Sequence, residues 1–157
     1  MAFGLSLASC CASRKAPKNQ ESDLIYCSYA KSGSAGLGKE YCEFIADPGT
    51  KPKVVVALRV GNRFGDPEIH EEYSISKDEI ASLAALLEEY KVKKLDGYNY
   101  EEPITGGYSY RVHVEYASGE SVTFRYYGHN VKTSAINAYG AISHFFSPWV
   151  AKAEKNK

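Results

Sequence analysis

The stretch YSYRVHVEYASGESVTFRYY, residues 108–127, leaves the chain few choices. Apolar and polar residues alternate on both sides of Ala117-Ser118-Gly119, which is the period of a strand with one buried face. A three-residue loop with Gly third suits a type I turn followed by a G1 bulge. That loop fixes the register: Val114 falls opposite Val122, Val112 opposite Phe124 and Tyr110 opposite Tyr126. All six share one face. The other face carries Arg111, His113, Glu115, Thr123 and Arg125, with Arg125 directly across from Arg111. A sheet built on this hairpin needs an apolar cover on one side only.

Helices can supply that cover. Ser76 with Glu79 reads as a capping box and Ile75 with Ile80 as a hydrophobic staple, so a helix is expected over 77–92. Ile80, Leu83, Ala84, Leu87 and Tyr90 form its apolar stripe. A second helix follows from Ile136, Tyr139, Ile142, Phe146 and Trp149. Pro148 is expected to break or kink it after Ser147, and residues 151–157 to fray. Residues 53–60 (KVVVALRV) are apolar on both faces, as in a central strand. Residues 68–75 alternate, with Ile69, Tyr73 and Ile75 inward, Glu68, His70 and Glu72 outward, and Glu71 interrupting the inner face. Residues 95–107 read as a loop. The element order ββββαββα predicts an α+β fold, with an antiparallel sheet of about six strands in hairpins and two helices on one face. A single domain over 23–150 accounts for it.

Near the N-terminus, residues 23–30 and 39–46 are strand-like and flank the Gly-rich stretch 31–38. Folding the chain symmetrically about Ser34 and Ala35 places Cys27 opposite Cys42 and Ile25 opposite Phe44. Directly opposed Cβ atoms stand about 4.5–5.5 Å apart and a disulfide prefers about 3.8 Å. A Cys27–Cys42 bridge is therefore expected, with some local closing up, in an oxidising compartment. The same glycines invite a phosphate-loop reading through Gly33, Gly38 and Lys39. That motif requires Ser or Thr where Glu40 stands, and a helix where residues 39–46 favour a strand.

Leu7-Ala8-Ser9-Cys10 resembles the lipobox of bacterial lipoproteins, which implies that Cys10 carries a lipid and attaches the chain to a membrane. The apolar run before it is short and has no basic flank, so a truncated or late-assigned start is expected. Residues 12–23 are polar and aperiodic, as in a flexible tether, so 1–22 is read as lipobox plus stalk. Farther along, KKLDGY, then GGYSYRVHVEYASGESVTF, then a closing helix resembles small uncharacterised bacterial lipoproteins, many from Bacteroidota. This likeness spans roughly 76–149. It implies an envelope location, on the outer membrane or periplasmic face, and no established chemistry.

Charge argues against nucleic acid. The 157 residues carry 19 basic and 19 acidic side chains, with no basic run. No run of about 18 apolar residues occurs. Thirteen tyrosines suit half-buried strands and also interfaces. His70, His113, His129 and His144 make no HxH or HxxxH pair, so no metal is expected. No GxSxG elbow is present, and no cofactor is expected. Glu71-Glu72 and Glu101-Glu102 are sequence neighbours, which in a strand point to opposite faces. Arg111, His113 and Arg125 form a candidate patch for an anionic ligand. The expectation is a non-enzymatic, lipid-anchored envelope protein that binds a protein or a glycan. Two alternatives are an inhibitor of a hydrolase such as lysozyme or a protease, inserting its GSAGLGKE tip or the 95–107 loop, and a nucleotide-binding enzyme using residues 33–39.

Overall fold

The computed structural model describes residues 23–33, 38–46, 49–59, 68–103 and 106–156. Among them the chain order is β1 (Leu24–Gly33), β2 (Lys39–Ile45), β3 (Lys53–Arg59), β4 (Glu68–Ser74), α1 (Lys77–Glu89), β5 (Asn99–Glu101), β6 (Tyr108–Tyr116), β7 (Ser121–Tyr127) and α2 (Thr133–Lys155). The strands form one seven-stranded sheet in the order β4-β3-β2-β1-β6-β7-β5. Every pairing is antiparallel except β5 with β7. The fold is α+β, with a mixed and mostly antiparallel sheet.

The β6–β7 hairpin has the expected register, with Val114 opposite Val122, Val112 opposite Phe124 and Tyr110 opposite Tyr126. Its turn closes through Gly119 N–H to Tyr116 O and Tyr116 N–H to Glu120 O, both 2.9 Å, with Gly119 at φ +87°. β6 then pairs with β1, which becomes the central strand. β3, expected at the centre, lies one place in from the β4 edge. The edges discourage further pairing: β4 carries Glu68, Glu71 and Glu72, and β5 is three residues long.

β5 lies within the stretch expected to be a loop. Three residues are too few for a periodic signal, and the backbone of its surroundings holds it. Arg125 N–H donates to Tyr98 O and Glu102 N–H to Tyr127 O, each at 2.9 Å.

The β1–β2 hairpin corrects the expected Cys27–Cys42 bridge. Cys27 pairs with Phe44 and Cys42 with Tyr29, a slip of two residues from the symmetric folding. A two-residue slip returns every side chain to its own face, so hydrophobic patterning cannot oppose it. The loop decides instead, because Gly33 N–H donates to Gly38 O at 3.1 Å and Gly38 takes φ +59°. Both cysteines are free thiols, buried on the helix-covered face. Desolvation pushes each thiol up to about 12.

α1 begins as expected. Ser76 N–H donates to Glu79 Oε2 at 2.7 Å and Glu79 N–H to Ser76 Oγ at 3.2 Å. It ends at Glu89, earlier than the spacing predicts. Lys91 adopts φ +52°, and a 3-10 turn, Val92–Leu95, buries Val92 and Leu95 in place of the exposed Tyr90. Leu83 and Leu87 carry the buried stripe of α1.

α2 runs through Pro148 to Lys155, which corrects the expected break and the frayed tail. Proline removes the N–H that would reach the carbonyl four residues back, here His144 O. The Ser147 hydroxyl donates to that carbonyl at 2.7 Å. Trp149 and Ala153, beyond the proline, are buried with Tyr139, Ile142 and Phe146, so packing holds the last turns. Ile136, expected inward, is exposed, and Ala135 and Ala138 take its place.

The core fills the space between the helices and one face of the sheet. Phe44, Val54, Val56, Val112, Val114 and Phe124 belong to it, with Leu83, Ile142 and Phe146 opposite.

Candidate functional site

Alternation puts the neighbours of those core residues on the other face. Along one row across the sheet lie Val55, Glu43, Ser28, His113 and Thr123; along the next lie Ala57, Tyr41, Ala30, Arg111, Arg125 and Asn99. No helix or strand among the described residues covers this face. The floor along β1 is small, with Ser28, Ala30 and Ser32 flanked by taller side chains on β2 and β6. Ser28 and Ala57 are buried by those neighbours.

Where β1 meets β2 stands a tyrosine–carboxylate cluster, with Tyr26 on β1 and Tyr41 and Glu43 on β2. The Tyr26 and Tyr41 hydroxyls lie 2.7 Å apart. They approach Glu43 Oε2 at 2.7 and 2.6 Å, so the carboxylate accepts from both. Desolvation raises the pKa of both phenols, and the Glu43 carboxylate raises them further. At neutral pH they are donors.

Across β1, the Tyr26 ring lies 5.7 Å from the His113 ring. His113 Nδ1 is 2.6 Å from Thr123 Oγ1, and Nε2 is 2.8 Å from Glu115 Oε1. Both ring nitrogens are therefore occupied, and His113 braces β6 against β7 with neither nitrogen free for a ligand.

The arginines behave differently from each other. They are directly opposed on β6 and β7, as the sequence predicts, and like charges in that position repel. Arg125 Nε donates to Asn99 Oδ1 at 2.6 Å, and Nη2 lies 3.8 Å from Glu101 Oε2. Arg111 has no hydrogen-bond or ion-pair partner among the described residues. Between them and the β1 floor is a pocket of about 480 Å³, bordered by Ala30, Ser32, Ser109 and Tyr127, with Glu101 at its rim. The Tyr127 hydroxyl donates to Gly106 O at 2.7 Å, which holds that wall in place.

The remaining sequence candidates fall elsewhere. Cys10, and the tip of the Gly-rich loop at 34–37, lie outside the described residues. Lys39 opens β2, where a phosphate loop requires a helix, and its Nζ pairs with Glu68 at 3.2 Å. Cys27 and Cys42 belong to the core. His70 lies 3.6 Å from Glu68 Oε1, His129 donates its backbone N–H to Glu102 at 2.7 Å, and His144 sits exposed on α2. Glu101 and Glu102 do diverge, the first toward Arg125 and the second onto the 129–130 backbone. Sequence reasoning missed Tyr26, Tyr41, Glu43 and Asn99. The i, i+2 spacing of Tyr41 and Glu43 on a strand was the one available signal for the cluster. Asn99 has none, because the three residues of β5 are too few to carry a strand period.

Compared with known proteins, the chain matches no family model and no curated sequence.

Proposed function

We propose that this is a non-catalytic, lipid-anchored domain of the bacterial envelope that binds a glycan on the uncovered face of its sheet. The observation that carries the reading is the arrangement of that face. A small-residue floor lies between an ordered donor–acceptor cluster (Tyr26, Tyr41, Glu43) and a pocket of about 480 Å³ under two arginines. Small-ligand sites typically span about 300–1,000 Å³ and orient their ligand with a few fixed polar groups. A protein partner would need about 800 Å² of contact on its side, whereas Tyr26, Tyr41, Glu43, His113 and Arg125 already bond to neighbouring side chains and leave Arg111 as the local exception. The anchor rests on Leu7-Ala8-Ser9-Cys10 and the polar stretch that follows.

Two measurements test this. Soluble polysaccharide fractions from bacterial envelopes, titrated into labelled protein, should shift the NMR signals of Tyr26, Tyr41, Arg111 and Arg125. Tyr90 and Ile136, on the helical side, should not move. Shifts confined to the helical side, or none at all, overturn the binding face. Cys10→Ala should release the protein from membranes with its melting temperature unchanged; retention in the membrane fraction defeats the anchor.

A further inference from the structure

We propose that the pocket under Arg111 and Arg125 takes an acidic sugar unit, its carboxylate held by the two guanidinium groups and its hydroxyls donating to Glu101. The inference rests on the uncovered face being the binding surface, and it names the ligand class.

The argument starts from unbalanced charge. Two arginines occupy directly opposed positions on neighbouring strands, an arrangement that costs stability unless something neutralises it. Arg125 is steadied by Asn99 at 2.6 Å, which fixes the plane of its guanidinium. Arg111 keeps its whole donor set for a ligand, with no partner among the described residues. Guanidinium groups favour planar anions that accept two parallel hydrogen bonds, and a carboxylate fits that geometry.

The rim then narrows the class. Glu101 lines the same pocket as an acceptor, exposed and only 3.8 Å from Arg125 Nη2. A second anionic group placed there would be repelled. A hydroxyl would be welcomed. The ligand therefore combines one anionic group with neighbouring hydroxyl donors. Tyr127, pinned through its hydroxyl to Gly106 O, offers an apolar wall for the C–H face of a sugar ring. Ala30, Ser32 and Ser109 leave the floor clear because none has a side chain beyond Cβ or Oγ. A volume of about 480 Å³ accommodates one or two sugar residues.

The experiment is titration calorimetry with the full chain, using a glucuronate-containing disaccharide, its neutral glucose counterpart, inorganic phosphate and sulfate. The glucuronate probe should saturate, and the neutral sugar should bind at least tenfold more weakly. Arg111→Gln should lower glucuronate affinity at least tenfold while the amide spectrum stays native. Glu101→Ala should lower glucuronate affinity severalfold relative to sulfate, because it removes the acceptor for the sugar hydroxyls, whereas the repulsive charge it removes acts on both anions. Equal binding of the neutral sugar, phosphate or sulfate as tight as glucuronate, or an unaffected Arg111→Gln variant would each overturn the proposal. If glucuronate fails to bind while envelope polysaccharide still shifts Tyr26 and Tyr41, the acidic-sugar assignment falls and the binding face stands. If both fail, the face itself is wrong.

Discussion

Beneath α1 and α2 the sheet presents Phe44, Val56, Val112 and Phe124; one residue along the same strands it presents Glu43, Ala57, Arg111 and Arg125. The covered side is held by packing. Its aromatic rings meet at centroid distances such as 5.6 Å for Tyr29 with Phe146 and 4.9 Å for Tyr110 with Tyr139. The uncovered side is held by hydrogen bonds on its β2 half and by His113 at its middle, and it carries unmatched charge at Arg111. A single backbone alternation thus divides stability from recognition. Changes on one face should be read in folding, and changes on the other in binding.

The sharpest contrast lies in the thiols. With burial pushing Cys27 and Cys42 up to about 12, about three pH units above an ordinary thiol, their thiolate fraction falls about a thousandfold, before steric exclusion is counted. A thiol-alkylating reagent at neutral pH should leave both untouched in the native protein. Both should label on unfolding without any reductant. A requirement for reductant would restore the disulfide and its register, and would dismantle the covered face as described. Next in size comes Phe146→Ala, which empties a fully buried ring site and should cost about 3–5 kcal/mol in chemical denaturation.

On the other face, Tyr41→Phe removes one of two donors to Glu43 and should cost about 1 kcal/mol. That loss depends on pH in a defined direction. The folded-state pKa of Tyr41 is raised above about 10, so its contribution is fully present below pH 10 and fades as pH climbs toward the folded value. Wild type should therefore lose stability in alkali faster than the Phe variant does. Equal losses from Phe146→Ala and Tyr41→Phe would erase the division between the faces.

How much of this was legible in the sequence differs between the two hairpins. The β6–β7 turn has three residues with Gly third, a geometry that admits one register, and both its faces could be assigned residue by residue. The β1–β2 loop is longer and rich in glycine, so nothing in its sequence beyond symmetry points to a register. The slip of two preserved every face and moved Cys27 from Cys42 to Phe44. Pro148 misled for another reason. The rule concerns the lost N–H, and the Ser147 hydroxyl that serves His144 O is visible only in three dimensions. Arg111 and Arg125 were legible because alternation alone places them. Asn99, which separates their roles, depends on a parallel strand too short to carry a pattern.

The smallest predicted effect is the most diagnostic. Arg111→Gln removes a charge that faces a like charge and that has no partner among the described residues. It should raise stability by a few tenths of a kcal/mol at low ionic strength. The gain should shrink as salt screens the pair, since the Debye length falls from about 30 Å at 0.01 M to about 3 Å at 1 M. Arg125→Gln relieves the same repulsion but loses the bond to Asn99, worth about 1 kcal/mol, so its net effect should be destabilising. The signs matter more than the sizes, because an arginine anchored within the fold and one without a partner there differ in sign. If Arg111→Gln destabilises as much as Arg125→Gln, then Arg111 has structural work within the fold, and its guanidinium is not held in reserve for a ligand. If it stabilises and that gain vanishes on adding an anion, the repulsion between opposed arginines is the cost that binding relieves.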